Sequence, residues 1–192
     1  MATTETSAQT STSTRSSKRT APGGKGVKST RRQNAEKGFV ASKELDEALQ
    51  ACLVDLLELQ MQGKQAHWNV VGTNFRDTHR ILDEIIEAAR EFSDTVAERM
   101  RALHAVPDGR SDTVAATTTL PEYPQGEVDT SETVDLITVR LEATVSTMRG
   151  LHDDVDDEDP TSADILHVII EKLEQFAWMV SAENRSPATS RG

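Results

Sequence analysis

A single cysteine in 192 residues, Cys52, excludes an intrachain disulfide and makes a reducing, cytosolic home the simpler expectation. It falls on an apolar helical face, where a free cysteine is ordinarily a small core residue. Long apolar runs are lacking too. Nothing approaches the ~18 residues of a membrane span, and the first residues have no apolar stretch of the kind a secretory signal needs. The expectation is a soluble chain, not exported by that route and with no membrane partner. Aromatics make up 4% of the chain and none occurs in residues 1–38, which removes from that segment the stacking platforms that hold single-stranded nucleic acid. There is no strand signal and no internal repeat, so an all-α fold is what remains.

Charge is abundant and uneven. Residues 1–40 hold eight Lys or Arg against Glu5 and Glu36, a balance of +6, so with a whole-chain charge of −11 the rest carries −17. Residues 1–38 are rich in Ser, Thr, Gly and Lys and cannot bury enough apolar surface to offset chain entropy. They are expected to form a disordered basic arm. Their composition has something of an organellar transit peptide, but such peptides are amphipathic helices, and the segment is apolar-poor and broken by Pro22, Gly23 and Gly24.

From Ser42 the pattern changes. Leu45, Leu49, Leu53, Leu56 and Met61 keep a 3.6-residue rhythm, predicting a first helix from Ser42 to near Val70. Gly72, Thr73 and Asn74 break it, and Phe75, Leu82, Ile85, Ile86, Ala89, Val96 and Met100 predict a second helix ending near Ala105. So short a joint forces the pair antiparallel. Residues 106–129 show no sustained period and read as a long connection. Asp129 and Glu132 have capping-box spacing ahead of a third helix through Val134, Ile137, Leu141, Val145 and Met148, ending around 150–155. An Asp-rich loop is expected next. Pro160, Thr161 and Asp164 then open a fourth helix through Ile165, Ile169, Leu173, Phe176 and Val180. Two helical hairpins joined by one long crossover between helices 2 and 3 make a ferritin-like four-helix bundle. It should occupy residues 39–184, followed by a short flexible tail over 185–192.

Five metal-ligand residue types stand in two clusters. His79 and Asp83 are one helical turn apart, as are Asp94 and Glu98, and His67 lies on the preceding helix. Asp83 and Asp94 are 11 residues apart, about 16 Å of helical rise, too far to share an ion. Each cluster is therefore half a site, most simply completed by a second copy packed antiparallel across a two-fold axis. The Glu-x-x-His motif of ordinary di-iron bundles does not occur. Carboxylate and imidazole without thiolate suit Fe(II). Taken separately, His79 and Asp83 could be a surface i,i+4 pair, and Asp94 and Glu98 solvated charges.

Lys64-Gln65-Ala66-His67-Trp68-Asn69-Val70-Val71-Gly72-Thr73-Asn74-Phe75, His79, Asp83, Asp94 and Ala97-Glu98-Arg99 together resemble the Dps family, the DNA-binding proteins from starved cells. Ala163-Asp164-Ile165-Leu166 and Phe176-Ala177-Trp178 extend the likeness over about residues 42–184. The resemblance implies a ferroxidase centre for two irons at a subunit interface, with His67, His79 and Asp83 from one chain and Asp94 and Glu98 from its mate. It implies Fe(II) and hydrogen peroxide as substrates, ferric mineral stored in a dodecamer of two-fold dimers, and a bacterial cytoplasmic, nucleoid-associated location. It places an oxidisable tryptophan at Trp68, beside the centre, where an indole could intercept stray oxidants; a packing role is the plainer reading. It also puts acidic iron-admitting pores near the start of the last helix, which makes Asp164, with Asp153, Asp154 and Asp157, the candidates; by composition the Asp run is a solvated loop. His104, His152 and His167 have no ligand spacing and read as surface or core-satisfied histidines.

An acidic body repels DNA, so any contact must come from Arg15, Lys18, Arg19, Lys25, Lys28, Arg31 and Arg32 of the arm. Many copies in one particle would bind without reading sequence and with steep salt dependence. The competing function is a structural nucleoid protein for which iron is incidental; a metal-free helical dimer is the third reading.

Overall fold

A computed structural model describes residues 38–187 of the chain. Its elements run α1 (Lys43–Asn69), β1 (Val70–Val71), α2 (Phe75–Ala102), α3 (Ser111–Thr117), β2 (Val128–Asp129), α4 (Thr130–Glu158) and α5 (Pro160–Ala182). The four long helices form the bundle. α1 packs on α2 and α4 packs on α5, while α1 against α4 and α2 against α5 close the square.

Local chemistry sets the ends. Ser42 caps α1 by accepting from the Leu45 amide at 3.0 Å, and Asp129 caps α4 by accepting from the Ser131 and Glu132 amides. Between α1 and α2, Gly72 takes φ +113 and Asn74 φ +61, left-handed values that a β-branched residue would resist. The core is the expected aliphatic stripe: Leu45, Leu49, Leu53 and Leu56 of α1 meet Leu82, Ile85 and Met100 of α2, Ile137, Leu141 and Met148 of α4, and Ile169, Leu173 and Phe176 of α5. Cys52 is wholly buried among them. Met61 and Phe75 are exposed instead, because Leu59 and Gln62 carry the buried face of α1 onward and Phe75 starts α2 at the bundle's tip.

The third helix is longer than its sequence suggests. It runs through the acidic stretch to Glu158, and only Asp159 separates it from α5. Asp153, Asp154, Asp156 and Asp157 are solvent-facing, whereas Val155, seven residues after Met148, stays buried and keeps the helical period. Glu158 also accepts from the Ser42 amide at 2.8 Å, tying the end of α4 to the start of α1. α5 accordingly starts at Pro160 with Asp159 at its cap position, and Thr161 sits inside the first turn rather than before it.

Two features of the crossover differ from the expected plain connection. It contains the short helix α3, and its far end pairs in parallel with the α1–α2 tip, Val70 with Val128 and Val71 with Asp129. A two-residue strand is too short to show alternation in sequence. Two buried charged residues hold the crossover down. Asp55 of α1 accepts from Thr118 Oγ1, the Thr119 amide, Thr119 Oγ1 and Thr147 Oγ1 at 2.6–2.9 Å. Arg140 of α4 donates to the Pro121, Glu122 and Leu136 carbonyls and to Gln62 Oε1. Every polar atom that these charges bring inside thus has partners, which is what makes their burial tolerable.

Candidate metal centre

His67 lies in the last turn of α1, and His79 and Asp83 lie one turn apart near the start of α2. The antiparallel hairpin brings them together: one ligand atom from each of the three falls within 4.8 Å of the others, and no second such trio of His, Cys, Asp or Glu occurs among the described residues. The two imidazole rings stack with centroids 3.6 Å apart, and the Phe75 ring lies 5.1 Å from that of His79.

Hydrogen bonding decides which nitrogens face a cation. His79 Nδ1 is 3.1 Å from the His67 carbonyl oxygen. A carbonyl only accepts, so Nδ1 carries the proton and Nε2 is left with its lone pair. Both nitrogens of His67 are sealed from solvent without a well-directed hydrogen bond, although Nε2 is 3.0 Å from Asp83 Oδ1. An imidazole so placed lacks the partner that a polar atom in the interior ordinarily has. A divalent cation bound between His67, His79 and Asp83 would supply one.

Lys64, one turn before His67, has no place in the sequence-derived ligand set. Its ammonium is 3.0 Å from the same Asp83 oxygen. That hydrogen bond, the largest influence, together with the smaller effect of His67 holds the Asp83 carboxyl below the ordinary aspartate range against burial, which acts to raise it. Asp83 is thus kept charged and aimed, with a positive group in the space that an ion would contest. Lys64 was legible in principle, since it shares a helical face with His67 at i,i+3.

Asp94 and Glu98 are both exposed on α2 and do not join the trio. Asp94 lines an open cleft with Arg90, Leu53, Leu57, Pro107 and Gly109. Arg99, next to Glu98, donates to Asp159 Oδ2 at 2.6 Å and to Ser162 Oγ at 3.0 Å, which fixes this end of α2 against the α4–α5 joint. Trp68 projects outward, 71% exposed, so within this chain it does not serve as a core-packing residue.

The four acidic pore candidates are all exposed and fall in two places. Asp154 and Asp157 border a hollow with Glu44 and Glu47, whereas Asp153 borders another with His152 and His167. Asp164 is 3.8 Å from His167 Nδ1. The arm residues Arg15, Lys18, Arg19, Lys25, Lys28, Arg31 and Arg32 lie outside the described residues.

Residues 46–185 match the Ferritin-like domain. The chain is similar to "DNA protection during starvation protein 2" of Deinococcus radiodurans, 36% identical over 140 residues that make up 73% of this chain and 58% of that protein. The chain thus spans somewhat over half the length of that curated relative. Among solved structures it resembles a Dps from Deinococcus radiodurans at 35% identity and TM-score 0.74, over 77% of this chain and 89% of the other. It also resembles the Dps from Microbacterium arborescens in its high iron form at 30% identity and TM-score 0.70, over 76% and 98%.

Proposed function

The chain belongs to the Dps family of ferritin-like proteins, and we propose that it oxidises Fe(II) at sites shared between two copies and stores the ferric product in a shell, the family's dodecamer. One observation carries this reading. His67, His79 and Asp83 converge within 4.8 Å while Asp94 and Glu98 face solvent about three turns along the same helix, leaving a ligand set that is complete only across an interface. Imidazoles would locate the ion, and carboxylates would neutralise and bridge it. With hydrogen peroxide as oxidant, two Fe(II) each lose one electron, the O–O bond takes both, and two protons complete two waters. Consuming peroxide and Fe(II) together removes the reactants of hydroxyl-radical chemistry. In this reading the exposed Trp68 indole, next to His67 in the chain, intercepts stray one-electron oxidants.

The test is anaerobic Fe(II) titration of the purified protein followed by peroxide, with ferric absorbance and particle mass recorded together. His67→Ala/Asp83→Ala should lose the rapid phase by at least about a hundredfold while the particle stays assembled. A wild-type rate in that variant defeats the ferroxidase reading. Asp164→Asn, alone and with Asp153→Asn, Asp154→Asn and Asp157→Asn, should slow iron uptake without changing oxidation at the centre, if these acids guide the cation inward.

The excess of +6 in residues 1–40 supports a second activity of a cytoplasmic, nucleoid-associated particle, sequence-independent DNA binding through the arm. Removing residues 1–38 should abolish salt-sensitive DNA retardation and leave iron oxidation intact. Unchanged retardation assigns the contact elsewhere.

A further inference from the structure

The joint between α4 and α5 gathers a second set of ligand-type side chains. His152, near the end of α4, and His167, early in α5, bring their rings to 4.2 Å between centroids with a 32° tilt. Each has an acid at Nδ1: Asp153 Oδ1 is 3.3 Å from His152 Nδ1, and Asp164 Oδ1 is 3.8 Å from His167 Nδ1. The Asp153 hydrogen bond favours the proton on His152 Nδ1 and leaves its Nε2 as a lone pair, the arrangement that outer carboxylates impose on metal-binding histidines, while Asp164 is beyond hydrogen-bond distance of His167 and acts on it through charge alone. The Nε2 of His152 is sealed from solvent and has no hydrogen-bond partner. Beside the rings opens a cleft of about 300 Å³ that Glu171 and Glu174 also line. Glu174 is taken up by Arg149 at 2.7 Å. Glu171, exposed and one turn beyond His167 on the same face of α5, is the carboxylate not already committed to a cation.

We propose that His152, His167 and Glu171 form a second metal site, separate from the α1–α2 trio, for a divalent transition-metal ion. Two imidazoles and one carboxylate without thiolate suit Zn(II), Co(II) or Fe(II) and are poor ligands for Mg(II) or Ca(II). The exposed Asp154, Asp156 and Asp157 of the same helical segment raise the local cation concentration. Glu171 closes onto the ion by a side-chain rotation, for which its exposure leaves room. The bound ion cross-links α4 to α5 across the one-residue joint, so thermal stability rises with the logarithm of ion concentration once the site is filled.

Zn(II) is the probe, and the assembled His67→Ala/Asp83→Ala protein is the background, so that the α1–α2 trio cannot bind it and the outcome is independent of the ferroxidase reading. Calorimetric titration should give one Zn(II) per subunit and a raised Tm. Adding His152→Gln and His167→Gln should abolish both, and Asp153→Asn should loosen binding by roughly tenfold to a hundredfold. In zinc-soaked wild-type crystals an anomalous peak should lie at the Nε2 edges of the two rings, facing Glu171, a result that does not depend on any variant folding. No Zn(II) uptake by the background protein, uptake that survives loss of both histidines, or a wild-type crystal without that peak overturns the assignment.

Discussion

Asp55 shows how one residue can be more constrained than its surroundings suggest. It interrupts the run Leu53, Val54, Leu56, Leu57 and is 1% exposed, yet all its capacity as an acceptor is used by three threonines of the crossover and α4. Asp55→Ala removes the acceptor and leaves the Thr119 amide without its partner, so stability should fall by about 3 kcal/mol. Denaturant midpoints at one fixed protein concentration measure this, because assembly adds to apparent stability. Cys52, one turn earlier, is governed by the same interior. Burial, and then the charge of Asp55, push its thiol up to about 12. A thiol-specific alkylating reagent should therefore not modify the native protein at neutral pH and should react only on unfolding; prompt native labelling would contradict the packing described.

At the scale of elements, Gly63 sets how closely α1 and α2 approach. A Cβ there would lie 2.8 Å from Ile86 Cγ1. Gly63→Ala gains roughly 1 kcal/mol in helix propensity but forces overpacking that costs about 1–3 kcal/mol, so a net loss is expected. Because His67 is one turn further along α1, the spreading should also slow Fe(II) oxidation. A more stable variant with unchanged rate would show that the helices yield freely. The α4–α5 joint has an acid-sensitive tether. Burial acts to raise the Asp159 carboxyl, but hydrogen bonds from Ser162 and Arg99 outweigh it and the group is held below its ordinary 3.8. A carboxyl lowered by folding contributes fully above that unfolded value, and the contribution is lost as pH falls through the lower folded value. Urea midpoints should drop in that acid range for the wild type and show a shallower drop in Asp159→Asn, already less stable at neutral pH.

At the scale of the molecule, the proposed half-site makes a prediction that no intrachain site can share. His67→Ala/Asp83→Ala and Asp94→Ala/Glu98→Ala should each be inactive alone. In a mixed dimer, one site combines the intact histidine side of one chain with the intact acid side of the other. Co-assembly from equal amounts should thus restore about a quarter of wild-type oxidation, given random pairing of two-fold dimers. No recovery in demonstrably mixed particles would place all ligands within one chain. Trp68 is 71%, Trp178 64% and Val168 58% exposed, apolar area that association between copies would remove from water.

The helices of the bundle were legible in the chain, because aliphatic residues at helical period make a stripe that must be buried against a neighbour, and that period is local information. The facing of His79 and Asp83 was legible as well, since their i,i+4 spacing is fixed by helical rise alone. Tertiary structure decided what depends on distant partners. The acidic stretch of 153–158 is helical because Val155 finds the core, a pull that composition does not reveal. Asp55 and Arg140 became internal anchors because the crossover brought hydroxyls, an amide and carbonyls to them. Lys64 came to share Asp83 with His67, and His152 met His167, only once separate helices had docked. Spacing along one helix can be read from residue numbers, whereas contact between helices depends on the rotation and depth at which they pack.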